Sequence, residues 1–196
     1  MRVLGISGSL REGSHNTTLL RAAAAELPPE ASFVLFEDLA TVPPYVEDHD
    51  GDRAPPGAAA LRAAIEAADA LVIATPEYNS SVPGQLKNAL DWASRPLATN
   101  ALRGKPVVVV GASTGVFGAI WAQAELRKIL KAIGAQVLED ELPVGQAHDA
   151  FEADGSLRDP RQREVLAGAV AALVDSAAPL AGASTSLAVA SAVRAA

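Results

Sequence analysis

Residues 70–79 read Ala70-Leu71-Val72-Ile73-Ala74-Thr75-Pro76-Glu77-Tyr78-Asn79. The first five form an apolar run of strand length with no polar face, the pattern of a central strand buried on both sides. Working outward, a helical pattern precedes it from Gly57 to Ala67, and another follows from about Pro83 to Trp92. Pro106 to Val110 is a second wholly apolar strand. It enters Gly111-Ala112-Ser113-Thr114-Gly115 and then a long amphipathic helix, Ala119 to Ile133, which Gly134 caps. Upstream, Arg2 to Ser7 reads as a buried strand, Asn16 to Leu27 as a helix stopped by Pro28-Pro29, and Phe33 to Phe36 as a short strand. A weaker strand at Gln136 to Leu138 and a helix at Arg161 to Ser176 complete the set. Five strands alternating with five helices imply a parallel sheet with helices on both faces, because parallel strands require crossovers.

The whole pattern fits one domain over residues 1–176, large enough to bury a substantial core. Residues 177–196 are rich in Ala, Ser and Gly without a convincing amphipathic period, and are expected to be a mobile tail. The chain is 49% hydrophobic with only 4% aromatics, so Ala, Val and Leu must supply the core. It has no cysteine, which excludes disulfides, thiolate catalysis and Cys-ligated metals and suits a reducing cytoplasm, the expected location. The run from Met1-Arg2 into Val3-Leu4-Gly5-Ile6 is too short for a signal-peptide apolar region, and no membrane span is expected. A formal net charge of −7 argues against nucleic acid as a partner.

Three loops follow strands one, three and four and leave the same edge of the sheet, where ligands bind in open parallel folds. The first, Ser7 to Thr17, gathers two glycines, several hydroxyls, a helix N-terminus and Arg11, donors that suit a phosphate dianion. It reads equally as a polar turn with Ser14 or Asn16 as helix N-cap. It lacks both the spaced Rossmann glycines and the Walker Gly-Lys-Ser/Thr. The second loop, Pro76 to Gly84, could line a flat polar ring or be a proline-stiffened turn. The third, Gly111 to Gly118, has three glycines that allow close backbone approach, or simple flexibility. One site built by all three is more economical than three coincidences.

These residues resemble the NAD(P)H-dependent FMN reductase family, a flavodoxin-like group that includes quinone, azo-dye and chromate reductases. The marks are Gly8-Ser9-Leu10-Arg11 with Ser14 and Asn16; Pro76 to Ser81 running into Leu86-Lys87-Asn88-Ala89-Leu90-Asp91-Trp92; and Gly104-Lys105-Pro106 leading to Ser113-Thr114-Gly115, Gly118, Gln123 and Leu126-Arg127. The likeness covers about Arg2 to Gly134. It implies a flavodoxin-like three-layer α/β sandwich, with a five-stranded parallel sheet in order 2-1-3-4-5 and FMN across its carboxyl edge. Ser9, Arg11, Ser14, Asn16 and Thr17 would hold the phosphate; Pro76, Glu77, Tyr78 and Asn79 would lie along the isoalloxazine; Ser113, Thr114 and Gly115 would close its other side. NADPH or NADH would donate electrons to bound FMN, which would pass them to a small acceptor: a quinone, flavin, azo compound or metal oxyanion. The flavin carries the hydride chemistry, so no catalytic side chain is expected. Relatives are often oligomers, so a homodimer or homotetramer is expected, and Glu77 and Tyr78 could face a neighbouring subunit.

Other readings weigh less. A flavodoxin-type electron carrier would bind FMN without its own NAD(P)H activity, but the first loop offers an arginine in place of that group's Thr/Gly pattern. A module that kept the fold and lost the flavin would be colourless. His15, His49 and His148 stand far apart in the chain with no i, i+4 partner, which disfavours a metal site. Asp48, Asp50 and Asp52 only faintly resemble a calcium loop and read as a solvated acidic loop. Ser9 or Ser113 as a nucleophile lacks a base. Trp92 and Trp121 read as core or interface filler.

Overall fold

A computed structural model describes the backbone of residues 1–194; the side chains of Asp52 and of residues 179 onward lie outside the description. The elements in chain order are β1 (Arg2–Ser7), α1 (His15–Ala25), β2 (Ser32–Phe36), α2 (Pro56–Glu66), β3 (Ala70–Thr75), α3 (Gly84–Ala93) and β4 (Pro106–Ala112). After these come α4 (Ile120–Ile133), β5 (Gln136–Val137), β6 (Leu142–Val144) and α5 (Pro160–Arg194). Three short 3₁₀ turns occupy the Pro- and Asp-rich segment between β2 and α2. The sheet runs β2-β1-β3-β4-β5 with every pairing parallel, the flavodoxin-like order that the family resemblance implies.

Strand periodicity sorts the core into two layers. Leu4, Ile6, Leu71, Ile73, Val107 and Val109 face α2, α3 and α4, where Leu61, Ile65, Leu86, Trp92, Leu126 and Leu130 meet them. The alternate residues Val3, Val72, Ala74, Val108 and Val110 face Leu19 and Leu20 of α1 and Leu166, Val170 and Leu173 of α5. Each such leucine or isoleucine contributes about 1.5–3 kcal/mol by leaving water. With small alanines between them, the helices sit close to the strands. All six residues of β3 are buried, as its wholly apolar reading required.

The fifth sheet position departs from expectation. Instead of a single strand over Gln136 to Leu138 it holds two pieces: β5 pairs with the start of β4 (Pro106↔Gln136) and β6 with its end (Val110↔Leu142, Ala112↔Val144). Between them lies Glu139-Asp140-Glu141, which cannot run through a sheet interior without partners. Arg127 of α4, only 5% exposed, fills the gap: its Nη2 donates to the Asp140 carbonyl at 2.9 Å and its Nη1 to Glu141 Oε1 at 3.2 Å. Lys131 pairs with Glu139 at 2.6 Å. The final helix also differs, continuing from Pro160 through the Ala/Ser-rich stretch to Arg194 rather than ending at Ser176. The side chains of that stretch from residue 179, and residues 195–196 entirely, lie outside the described part, as does the expected mobility of the tail.

Candidate functional site

The loop after β1 is drawn over the carboxyl edge by a backbone bond from Gly8 N–H to the Ala74 carbonyl, 2.8 Å. A side chain at Gly8 would press on Leu86 Cδ2 at 2.8 Å and on Pro76 at 3.3 Å, so glycine is what lets the first loop lie against the second. Ser14 caps α1, its hydroxyl accepting from Thr17 N–H at 3.4 Å. The helix starts at His15, and the first-turn amides that no helical carbonyl reaches lie at this edge. Arg11 is exposed, and its guanidinium donates to the Gly13 carbonyl at 3.2 Å. Among the described residues it makes no ion pair, leaving most of its donors for an incoming anion.

The second loop is a tight hairpin. Tyr78 and Ser81 exchange backbone bonds of 3.0 and 3.1 Å around Asn79 and Ser80, both left-handed at φ 53° and 58°. Two positive φ values in succession define the turn that suits a hairpin, and asparagine tolerates it best. Glu77 does not extend outward. Its Oε2 accepts from the amides of Trp121 and Ala122 at 3.0 and 3.1 Å, capping α4, whose own cap position Ala119 has no side-chain acceptor. A carboxylate at a helix N-terminus also meets the positive end of the helix dipole. The third loop is braced from behind: Ser113 N–H bonds the Val144 carbonyl, and Gln146 and Ala147 bond the carbonyls of Gly115 and Ser113, all at 3.0 Å. Gly118 (φ 58°) packs so tightly that a Cβ would lie 2.5–2.8 Å from the backbone of Pro143, Val144 and Gly145.

The three loops thus converge on one cleft of about 240 Å³. Ser9, Arg11, Ser14 and Asn16 line it from the first loop, Pro76, Glu77 and Tyr78 from the second, and Ser113 and Thr114 from the third. Three residues expected there do not line it: Thr17, Asn79 and Gly115. Thr17 lies one helical step further round, donates to Ser7 Oγ at 3.1 Å and faces a neighbouring opening that it shares with Ser9 and Arg11 and that runs toward Leu35 and Leu39. Asn79 sits at the solvent tip of the hairpin, and Gly115 is exposed beyond the rim.

Asn16 reaches the cleft but its polar groups are committed elsewhere. It is 3% exposed, its Nδ2 donates to the Ala112 carbonyl and its Oδ1 accepts from Ala112 N–H, both at 2.9 Å. Through these two bonds it staples the first loop to the third. Sequence reasoning missed His15 and Ala112, which also line the cleft. It also treated His15 and His148 as remote, whereas the fold brings them close enough for His148 to bias the His15 imidazole. Around the rim, Tyr78, Val116, Phe117 and Trp121 are 55%, 73%, 63% and 48% exposed, with Phe117 and Trp121 edge to face at 5.0 Å. Trp92 is wholly buried, while Trp121 is not core.

A parallel 2-1-3-4-5 sheet with a donor-rich cleft across its carboxyl edge defines the flavodoxin-like class of nucleotide-binding α/β proteins. The family described as NADPH-dependent FMN reductase matches residues 1–149, and the chain belongs to it. It is 45% identical over 167 residues to an NAD(P)H-dependent FMN reductase of Pseudomonas aeruginosa, covering 85% of this chain and 89% of that one. It is 37% identical to a 2-hydroxy-1,4-benzoquinone reductase of a Burkholderia species, covering 85% of this chain and 90% of that one. Among solved structures it superposes on FerB, a flavoenzyme NAD(P)H:(acceptor) oxidoreductase of Paracoccus denitrificans. The TM-score there is 0.79 at 38% identity, over 91% of this chain and 97% of that one. The chain is therefore an oxidoreductase of the FMN and NAD(P)H type. Among the described residues, no helix is long and apolar enough to cross a membrane.

Proposed function

We propose that the cleft holds FMN with its phosphate against Ser9, Arg11, Ser14 and the start of α1. Its ring then lies between Pro76-Glu77-Tyr78 and Ser113-Thr114. The observation that carries this reading is the convergence of the three loops, two of them locked together through Asn16 and Ala112. The donor chemistry fits the group: an unpaired guanidinium, hydroxyls and helix-end amides at one end, and backbone-rich walls with a single carboxylate, Glu77, at the other. Glu77, the one carboxylate lining the cleft, turns its Oε2 to the α4 amides, which offset part of its charge.

FMN, when bound, supplies the hydride-accepting and electron-passing chemistry. The protein's own residues do the rest. Arg11 and the first loop anchor the phosphate, and the backbone of the second and third loops supplies fixed donors for charge on the ring. Gly118 and Glu77 hold those loops so that little reorganisation is needed. Tyr78, Phe117 and Trp121 leave exposed apolar surface near the cleft. NAD(P)H is the donor and a quinone-like small molecule the acceptor, each taking its turn on the open face. The similarity to an NAD(P)H-dependent FMN reductase and to a benzoquinone reductase supports that choice of donor and acceptor. The same exposed rim is read as the contact through which two copies form a homodimer. We read the reaction as cytoplasmic, a reading supported by the nicotinamide donor and by the absence of cysteine.

The purified protein mixed anaerobically with FMN and NADPH, with no other reductase present, should lose the flavin's visible absorbance. If it binds FMN but does not bleach, it is an electron carrier instead.

A further inference from the structure

His15 is the first residue of α1, directly after the capping Ser14, and lines the cleft alongside Ser9 and Arg11. On its other side it faces a larger cavity of about 570 Å³ between α1 and the segment after β6. Its ring lies parallel to Phe151 (1° between planes, centroids 6.2 Å apart), so the imidazole is oriented by a neighbour rather than free to swing. We propose that His15 belongs to the phosphate site and takes up a proton as the phosphate binds. This rests on reading the cleft as the FMN site.

The charges around it set the direction. With no anion present, burial first, then the positive charges of Arg11 and His148, hold the imidazole below its ordinary range, so it is neutral near pH 7. The other charged and titratable groups facing the same space are Arg21 and Glu26 of α1, Glu152 and Asp154 after β6, and Arg163 of α5. His148 is paired with Asp149 at 3.2 Å, and Arg163 is spent on the carbonyls of Leu157 and Arg158. A dianion beside His15 and Arg11 reverses the balance, favouring imidazolium and adding one charged donor where it is needed. Proton uptake linked to binding means that affinity falls as pH rises through the bound-state pKa. The limit is about tenfold in Kd per pH unit for one proton.

The test is the Kd of FMN, measured by quenching of its fluorescence from about pH 7 to pH 9, above the second phosphate ionisation near 6. Riboflavin, which lacks the phosphate, is measured in parallel. Wild type should lose several-fold to tenfold affinity for FMN per pH unit over part of that range, and riboflavin should show no such slope. His15→Phe keeps the ring against Phe151 and should flatten the FMN slope, as should His15→Gln. His15→Arg should bind FMN tightly with no slope. Equal slopes in wild type and both neutral variants, or equal slopes for FMN and riboflavin, would overturn the role of His15 while leaving the FMN site intact. Failure of both flavins to bind would overturn the FMN reading itself and this inference with it.

Discussion

At the Arg11 end of the cleft the working groups are side chains on an exposed loop, held by hydrogen bonds of 3.2–3.4 Å. At the Gly118 end they are backbone, clamped by Glu77 on α4, by the β6 segment behind Ser113 and by a glycine no other residue can replace without a clash. The first end resembles an electrostatic anchor that adjusts to its anion; the second resembles a mould fixed before any ligand arrives. Asn16 joins the two. The difference teaches that affinity and shape are separable here, and that substitutions should divide accordingly.

The largest effect should come from breaking the joint. Asn16→Ala leaves the buried Ala112 amide and carbonyl unpaired, so it should cost about 2–4 kcal/mol of stability. Thermal unfolding should then fall by roughly 4–16 °C for a domain of this size, and FMN binding should weaken with it. Gly118→Ala attacks only the mould. Its Cβ meets the backbone of Pro143 to Gly145, and the positive φ adds strain, together about 2–3 kcal/mol. Calorimetry should register the loss even without ligand. Arg11→Ala attacks only the anchor. It should leave unfolding unchanged and weaken FMN roughly 10- to 100-fold, the worth of a charge-assisted hydrogen bond. Added salt should weaken wild-type binding more than that of the variant. The smallest effect belongs to Thr17→Val. It removes a 3.1 Å bond to Ser7 and should cost about 1 kcal/mol or less in chemical denaturation, with FMN affinity changed less than in Arg11→Ala because the hydroxyl proton is spent on Ser7.

The parallel sheet was legible because β3 and β4 are apolar throughout, its strand order followed from the family resemblance, and the loops after β1, β3 and β4 stood out by their unusual chemistry. What escaped was set by long-range geometry. Leu142-Pro143-Val144 is too short to declare itself a strand, and its place depends on Arg127 filling the break before it. Thr17 and Asn16 are adjacent in sequence, yet helical rotation turns one toward Ser7 and the other onto Ala112, 96 residues away. The bonds from Glu77 to the α4 amides escaped because nothing local revealed that α4 begins at a left-handed alanine in need of an acceptor. His15 and His148 line one cavity only because the segment after β6 folds back over α1.

The claim on which the rest depends is that the first loop is built for a phosphate attached to a flavin. Comparing the wild-type affinities for FMN and riboflavin under one set of conditions tests it most directly. Two or more charge-assisted bonds to the phosphate predict FMN binding tighter by at least about 100-fold. Equal affinities for the two flavins would contradict it.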